Sequence, residues 1–381
     1  MKKKENLRKK AILLHKKYQG KLKTISKIAL KGLKELSLIY TPGVGEVSSL
    51  IAKNKKKAKE LTFKGNSVAV ISDGSAVLGL GNIGPEAALP VMEGKCVIFK
   101  EFADIDAIPL VLSTQNSEEI IKIIKAIAPT FGGINLEDIS APRCFEIENR
   151  LKKELDIPVM HDDQHGTAIV VLASLINAAK VVKKNFIKFK IVINGAGAAG
   201  SAVAKFLIKA GVKDIIVVDS KGIISFNRKD LSKYKKELAH LTNPNKFSGG
   251  LKDAIKEADV FIGLSKKNIL FQKDIKTMAK SPIIFALANP NPEIMPDLAI
   301  KAGAVVVATG RSDFPNQINN ALVFPGIFKG ALNNGISCIT DKIKLQSAYA
   351  LARLVKKPNP KKIIPSIFDK RVVKAIAKVV K

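Results

Sequence analysis

Four side chains able to bind a metal ion or move a proton fall within five consecutive positions. The stretch HDDQH contains His161, Asp162, Asp163 and His165. The two histidines are four positions apart, the spacing at which side chains share a helix face, and imidazoles are common zinc ligands. The two aspartates would instead suit Mg²⁺ or Mn²⁺, which prefer oxygen ligands. The stretch alone leaves both kinds of metal site open.

Three glycines further along the chain have the spacing of a dinucleotide-binding turn. Gly195, Gly197 and Gly200 form a GxGxxG pattern between a strand-like run, FKIVIN, and a helix-like run, SAVAKFLIKAG. Such glycines allow a tight turn and a close approach of the backbone to a pyrophosphate, whose charge the helix N-terminus favours. Asp219 ends the next apolar run, DIIVVD, where an acid can hydrogen-bond the adenosine ribose. These features predict an NAD site, and Lys221 could offset the repulsion of a 2′-phosphate and so permit NADP. The residues expected to bind the cofactor are Gly195, Ala196, Gly197, Ala198, Ala199, Gly200 and Asp219.

The elements that would position these residues alternate between strands and helices. The apolar runs that predict buried strands are VAVIS, CVIFK and AIPLVL, followed later by DVFIGLS, PIIFALANPNPE and AVVVATG. Residues 1–40 are expected to be helical, and HDDQHG is expected to lead through a turn into the helical stretch TAIVVLASLINAAKVV. Alternating strands and helices favour parallel, doubly wound sheets. We expect an α/β protein with a mixed α/β domain at residues 1–165. A Rossmann-type, doubly wound NAD-binding domain with C-terminal helices is expected at residues 166–381.

The composition predicts a globular, cytoplasmic protein. The chain has 381 residues, of which 46% are hydrophobic, enough for about two domains. No run approaches the ~18 uncharged apolar residues of a membrane span, and the N-terminal apolar run AILL is too short for a secretory signal. The net charge of +31 comes almost entirely from lysine, with seven arginines and no tryptophan. This pattern favours a solvated lysine surface over specific nucleic-acid binding, which relies on arginine and stacking aromatics.

Eight motifs, in the same order along nearly the whole chain, resemble those of the malic enzyme family in its short bacterial form. They are YTPGVGE (40–46), SDGSAVLGLGNIG (72–84), PVMEGKCVIFK (90–100), LED (136–138), HDDQHGTA (161–168), NGAGAAG (194–200), ANPNPE (288–293) and RSDFPNQINNALVFPGIF (311–328). The resemblance implies that the chain oxidises L-malate with NAD, releases the β-carboxyl group as CO₂ and forms pyruvate. It also implies a requirement for Mn²⁺ or Mg²⁺ and a homodimer or larger homo-oligomer.

The resemblance assigns the proton transfers to Lys95 as the base, Tyr40 as the acid and Asp162 as the carboxylate that orients the lysine. An amine acts as a base near neutral pH only if burial or nearby cations lower its pKa. The apolar residues on both sides of Lys95 predict that it is buried.

The resemblance also implies the ligands of the metal and of the substrate. The metal would be bound by Glu137, Asp138 and Asp163, and malate would be contacted by Lys95, Asn289, Asn319 and Asn320. Adjacent residues point to opposite faces of an ideal strand, so the backbone at Glu137 and Asp138 should be irregular or begin a helix. The two histidines then become supporting or structural residues rather than zinc ligands.

One position departs from the pattern of the longer malic enzymes. Ala76 stands where those enzymes carry an arginine that binds a malate carboxylate, so the cation serving this role here is left open. Two other functions remain as alternatives. A malolactic-type reaction would retain the reduced cofactor and release lactate, and a basic nucleic-acid-binding protein is the more remote alternative.

Overall fold

A computed structural model describes residues 2–77 and 79–381. Met1 and Leu78, which fall within the expected N-terminal domain, lie outside the described residues. The strands are β1 (Ser67–Ser72), β2 (Asp106–Val111), β3 (Gly133–Leu136), β4 (Val159–His161), β5 (Lys190–Asn194), β6 (Asp214–Asp219), β7 (Gly222–Ile223), β8 (Val260–Gly263), β9 (Ile283–Ala286) and β10 (Val306–Thr309).

The helices lie between and around these strands. They are α1 (Lys2–Tyr18), α2 (Leu33–Ile39), α3 (Val44–Lys53), α4 (Ala58–Leu61), α5 (Pro85–Ala103), α6 (Ser117–Ile127), α7 (Arg143–Glu154), α8 (Asp162–Val182), α9 (Ala198–Lys209), α10 (Lys233–Leu241), α11 (Leu251–Ala254), α12 (Gln272–Ile275), α13 (Pro296–Lys301), α14 (Phe324–Asn333), α15 (Asp341–Arg353) and α16 (Arg371–Ala377).

The strands form two sheets. The first has the order β2-β1-β3-β4 and is parallel throughout. The second has the order β10-β9-β8-β5-β6-β7 and is parallel except for the short edge strand β7. The central strands are buried along their whole length, as expected for sheets covered by helices on both faces. The expected α/β class, with a Rossmann-type second domain and C-terminal helices, is confirmed.

Helix α8 connects the two sheets. It follows β4 directly and lies in a hydrophobic core that also contains residues of β1 and β5. The predicted domain boundary, between residues 165 and 166, falls in the first turns of this helix and stays a prediction. By length and composition alone α8 could cross a membrane, but 67% of its most apolar window is buried in the protein.

The prediction that CVIFK forms a strand was wrong, because this run belongs to α5. An apolar run of five residues fits a buried strand and a buried helix equally well. The residues around it decide the outcome, since Met92, Cys96, Phe99 and Ala103 are spaced at intervals of three and four and are all buried. Together they form one apolar face of a helix.

Two helix boundaries also differ from the prediction. Residues 19–32 are not helical, because α1 ends at Tyr18 and is followed by Gln19 and Gly20 with positive φ angles, a common way to end a helix. The stretch HDDQHG is not a turn, since α8 already begins at Asp162. Two aspartates in the first turn of a helix are favourable because they face the positive end of its dipole.

Candidate active site

Most of the predicted site residues line one large cavity. It has a volume of 1420 Å³ and lies where the carboxyl end of β3 and the first turn of α8 face the loops after β5, β6 and β9. The predicted residues on its wall are Lys95, Glu137, Asp138, Asp163, Gly195, Ala196, Gly197, Ala198, Ala199, Asp219, Asn289, Asn319 and Asn320. Carboxyl ends of parallel strands are the usual location of ligand sites in α/β proteins.

Lys95 projects from α5 into a cluster of acidic groups. Its Nζ lies 2.9 Å from Glu137 Oε1, contacts the carboxylate of Asp162 and lies 4.5 Å from the ring centroid of Phe324. Burial alone would lower the pKa of Lys95, but Asp162, Glu137 and Asp163 outweigh it and hold the pKa above its ordinary value. Lys95 is buried, as its apolar neighbours in the sequence predict, but the lowered pKa that a base needs is not present in the chain without a cation.

Asp162 is the first residue of α8 and is completely buried behind Lys95. Its carboxylate occupies space left by Gly166, where a Cβ atom would come within 1.9 Å of Asp162 Oδ1. The glycine of the HDDQHG motif therefore makes room for the carboxylate that contacts Lys95. This geometry supports the predicted role of Asp162 in orienting the lysine.

The three predicted metal ligands form a compact cluster. Glu137, Asp138 and Asp163 each offer an oxygen atom, and these atoms lie within 4.8 Å of one another. Strand β3 ends at Leu136, and Asp138 has a φ of 54°, so the backbone is irregular as the adjacent ligands require. Burial and the neighbouring Asp163 raise the pKa of Glu137 well above its usual value.

The chemistry of this cluster suits a hard divalent cation. Glu137 and Asp162 contact the ammonium group of Lys95, and Asp138 and Asp163 lie beside Glu137, so the largely buried cluster has more carboxyl groups than cations. Buried charge of one sign is costly unless a counter-ion balances it, and oxygen donors match Mg²⁺ and Mn²⁺. Among the described residues, these three carboxylates are the one group of three or more close side chains that could hold a metal ion, and the group contains no histidine.

The predicted substrate amides have different surroundings. Asn289 follows β9 and is exposed on the cavity wall, and the side chain of Asn320 makes no hydrogen bond within residues 2–77 and 79–381. Asn319 Oδ1 accepts a hydrogen bond of 2.9 Å from the backbone N–H of Ala321 and so caps a short helical turn. Asn289 and Asn320 are therefore better placed than Asn319 to contact a ligand.

The three glycines of the GxGxxG turn have the separate roles expected of them. Gly195 has a φ of 124°, and a Cβ atom there would come within 2.5 Å of Leu264 O. A Cβ atom at Gly200 would come within 1.8 Å of Gly195 O, so this glycine allows close packing of α9. Gly197 faces open space on the cavity wall and directly precedes α9, which leaves room for a pyrophosphate at the helix N-terminus.

Asp219, at the end of β6, is held by two basic side chains that sequence analysis missed. Arg228 donates to both of its oxygens, at 2.8 and 3.3 Å, and Lys235 donates to Oδ2 at 2.5 Å. The backbone N–H of Lys221 donates to Oδ1 at 2.9 Å. Burial alone would raise the pKa of Asp219, but Arg228 and Lys235 hold it below its usual range. Because the chain has only seven arginines, each of them could have been examined as a residue with a specific partner, and this was the one sign of Arg228 in the sequence.

Tyr40 is the predicted catalytic residue that the structure does not bring to the site. It caps the C-terminal end of α2, is 66% exposed and does not line the cavity. Arg143, the first residue of α7, also lies off the cavity wall. Its guanidinium group donates to Asp73 Oδ2 at 2.7 Å and to Ser75 Oγ at 3.0 Å.

Comparison with known proteins identifies the family. The "Malic enzyme, NAD binding domain" family model matches residues 164–381, and the "Malic enzyme, N-terminal domain" family model matches residues 19–120 and 113–152. A bifunctional malic/malolactic enzyme of Bacillus subtilis is 54% identical over 98% of this chain and 92% of its own length. An NAD-dependent malic enzyme of Geobacillus stearothermophilus is 56% identical over 95% of this chain and 76% of its own length. The crystal structure of an NAD-dependent malic enzyme from Thermotoga maritima has a TM-score of 0.94, with 51% identity, covering 97% of this chain and 98% of that one. The chain therefore belongs to the malic enzyme family.

Proposed function

We propose that this enzyme converts L-malate and NAD⁺ into pyruvate, CO₂ and NADH with the help of Mn²⁺ or Mg²⁺. The observation that carries the proposal is the placement of Lys95. Its ammonium group contacts Asp162 and Glu137 beside a cluster of carboxylates, and the same cavity contains the glycine-rich turn of a dinucleotide site. A base, a cation site and a hydride acceptor site then share one enclosed space.

Glu137, Asp138 and Asp163 would hold the cation. When bound, the cation would supply charge stabilisation for the substrate oxygens and for the developing enolate. It would also offset the charges of Glu137 and Asp163, which both raise the pKa of Lys95, while burial would continue to lower that pKa. In its neutral form Lys95 Nζ would accept the proton of the malate hydroxyl group, with Asp162 fixing its position.

A direct assay tests this proposal. The purified chain is incubated with L-malate and Mn²⁺, once with NAD⁺ and once with NADP⁺, and reduced cofactor is followed by its ultraviolet absorbance. We expect NADH formation that requires the divalent cation and stops on addition of a chelator. Absence of reduced cofactor under both conditions would refute the proposal.

A malolactic reaction is the second candidate, because the Bacillus subtilis relative carries both activities in its name. In that reaction the reduced cofactor stays bound and reduces the product to lactate. Chromatography of the products separates the two candidates, since pyruvate accompanies free NADH and lactate accumulates without it. We expect pyruvate as the main product.

We further propose that a second copy of the chain covers the N-terminal helices and brings Tyr40 to its partner's cavity. The large apolar side chains exposed in this region include Ile12, Leu13, Ile25, Leu30, Leu33 and Leu38. Tyr40 belongs to the same exposed surface, whereas the cavity wall of a single chain does not include it. An exposed apolar surface of this kind is typical of an interface.

Cytoplasmic location stays a prediction from the sequence.

Mixing two inactive variants tests the shared site. Tyr40→Phe and Lys95→Ala chains are unfolded and refolded together after light scattering has established the oligomeric state. If Tyr40 serves its partner, each mixed dimer has one intact site, and about a quarter of the native activity returns for random pairing in a symmetric dimer. If the chain is monomeric, or if the mixture stays inactive, the proposal is wrong.

A further inference from the structure

A buried carboxylate on α7 contacts the segment that contains Asp162 and Asp163. The side chain of Glu148 is 3% exposed and lies outside the cavity wall. Its Oε1 accepts a hydrogen bond from the backbone N–H of His161 at 3.1 Å and forms an ion pair with Lys152 Nζ at 2.5 Å. Its Oε2 lies 2.9 Å from His165 Nε2, and Gln164 Nε2 donates to it at 3.3 Å.

Three of these four partners, all of them hydrogen-bond donors, come from residues 161–165. One donor lies immediately before the two aspartates and two lie immediately after them. Burial alone would raise the pKa of Glu148, but His165, Lys152 and the nearby Lys344 hold it well below its usual range. The side chain is therefore an ionised carboxylate with its acceptor positions filled.

The beginning of α8 has no cap of its own. His161 is the N-cap residue and provides no side-chain hydrogen bond, although helices usually begin with a Ser, Thr, Asp or Asn that does. The first backbone N–H groups of a helix need acceptors from elsewhere, and a negative charge near them is favourable. Glu148 accepts from the backbone N–H of the N-cap residue His161 and places a negative charge beside the turn that contains Asp162 and Asp163.

A second helix holds the same turn from another side. Lys344, on α15, has its Nζ 3.1 Å from His165 Nδ1, and its side chain is 6% exposed. A neutral imidazole with its proton on Nε2 would donate to Glu148 and accept from Lys344 at the same time. The imidazole of His165 thus links α7 to α15 across the first turn of α8.

We propose that Glu148 is a positioning residue for the catalytic and metal-binding aspartates. It holds the backbone of His161 before the two aspartates and the side chains of Gln164 and His165 after them, so that Asp162 meets Lys95 and Asp163 meets Glu137 and Asp138. The inference rests on the proposed function, since it assigns the purpose of this arrangement to cation binding and proton transfer. The dinucleotide turn lies on β5 and α9 and receives no contact from Glu148.

The test uses Glu148→Gln, which keeps the shape of the side chain but replaces an acceptor with an amide. Glu146→Gln is the matched control, because Glu146 lies on the same helix with its side chain exposed. Three quantities are compared with those of the unaltered protein. They are the dissociation constant of Mn²⁺ by electron paramagnetic resonance, that of NADH by fluorescence, and kcat with malate. Supporting residues behind metal ligands typically contribute about 10- to 100-fold to metal affinity or activity. We expect that loss in Mn²⁺ affinity and in kcat for Glu148→Gln, with NADH affinity unchanged, and no change for Glu146→Gln.

A second variant, Gln164→Met, covers the case in which Glu148→Gln fails to fold. It removes one of the three bonds without changing charge, and we expect a smaller loss of Mn²⁺ affinity in the same direction. Equal Mn²⁺ affinity in the unaltered protein and both variants would overturn the inference while leaving the proposed function intact. Equal losses of Mn²⁺ and NADH binding would also overturn it, because they would indicate a general folding role. Failure of the unaltered protein to bind Mn²⁺ would overturn the proposed function and the inference together.

Discussion

Replacement of Lys235 by alanine should shift the enzyme towards NAD⁺ and away from NADP⁺. A free carboxylate at Asp219 would favour NAD⁺ by binding the ribose hydroxyl group and repelling a 2′-phosphate. In the structure this carboxylate is 6% exposed and already accepts from Arg228, Lys235 and the backbone of Lys221. The two side chains neutralise Asp219, and Lys235 lines the cavity beside it.

The expected size of the effect follows from the hydrogen bonds. Lys235→Ala removes the shorter of the two side-chain hydrogen bonds to Asp219 Oδ2, which lets a ribose hydroxyl group donate there, and it removes a cation that would pair with a 2′-phosphate. A hydrogen bond to a charged group contributes about 1.5–3 kcal/mol, or roughly 10- to 100-fold in an equilibrium constant. The ratio of kcat/KM for NADP⁺ to that for NAD⁺ should fall by about this factor.

The assay measures both kcat/KM values at fixed malate and Mn²⁺, together with the affinities for 2′,5′-ADP and 5′-AMP. Lys236→Ala is the control, since it removes the same charge from the exposed neighbouring position of α10. An unchanged cofactor ratio in Lys235→Ala would refute this reasoning. An equal shift in both variants would refute it as well, because it would reflect the general positive field rather than the contact with Asp219.

Three further predictions follow from the site. Lys95→Ala should abolish NADH formation while Mn²⁺ binding persists, because the carboxylate cluster remains; measurable turnover in a steady-state assay would contradict the role of Lys95 as the base. Gly166→Ala should lower kcat by at least about tenfold, as expected when a catalytic group moves by about 1 Å, since the added Cβ atom would displace the Asp162 carboxylate; an unchanged kcat would exclude this. Burial raises the pKa of Glu293 from 4.5 to about 7, so the folded state binds this proton more tightly than the unfolded state. The free energy of unfolding is therefore about 3 kcal/mol larger below pH 4.5 than above pH 7. Thermal unfolding at about pH 5 and about pH 8 should show this loss on raising the pH, and Glu293→Gln should remove it; an equal pH dependence in the variant would contradict the assignment.

The parts of the site that lie within single motifs could be predicted from the sequence. The spacing of Gly195, Gly197 and Gly200 determines a turn whose geometry depends on the backbone alone, and the structure reproduces each glycine's role. The irregular backbone at Asp138 followed from the requirement that adjacent ligands face the same way. Such features depend on local stereochemistry, which a short stretch of sequence specifies.

The parts that depend on distant neighbours could not be predicted. The charge on Asp219 depends on Arg228 and Lys235, which no motif connects to it. The pKa of Lys95 depends on the carboxylates around it, and these outweigh the burial that its neighbours in the sequence predict. In both cases the residue type indicated the kind of chemistry, but the surrounding charged groups set the pKa of the side chain.

The stretch HDDQH shows why a cluster in sequence need not be a cluster in space. Successive side chains on an α-helix point about 100° apart, because one turn takes about 3.6 residues. Within the first turn of α8, Asp162 therefore faces Lys95, and Asp163 faces the backbone N–H of Asp138 at 2.8 Å. His165 contacts a third partner, Glu148. A zinc site would need both histidines to point at one ion, but His161 is the last residue of β4 with an extended backbone, and only His165 lies on the helix. The four-residue spacing therefore does not place the two imidazoles on one helix face. The first turn of α8 thus provides Asp163 as a candidate metal ligand, Asp162 as the contact of Lys95, and His165 as the contact of Glu148 on α7.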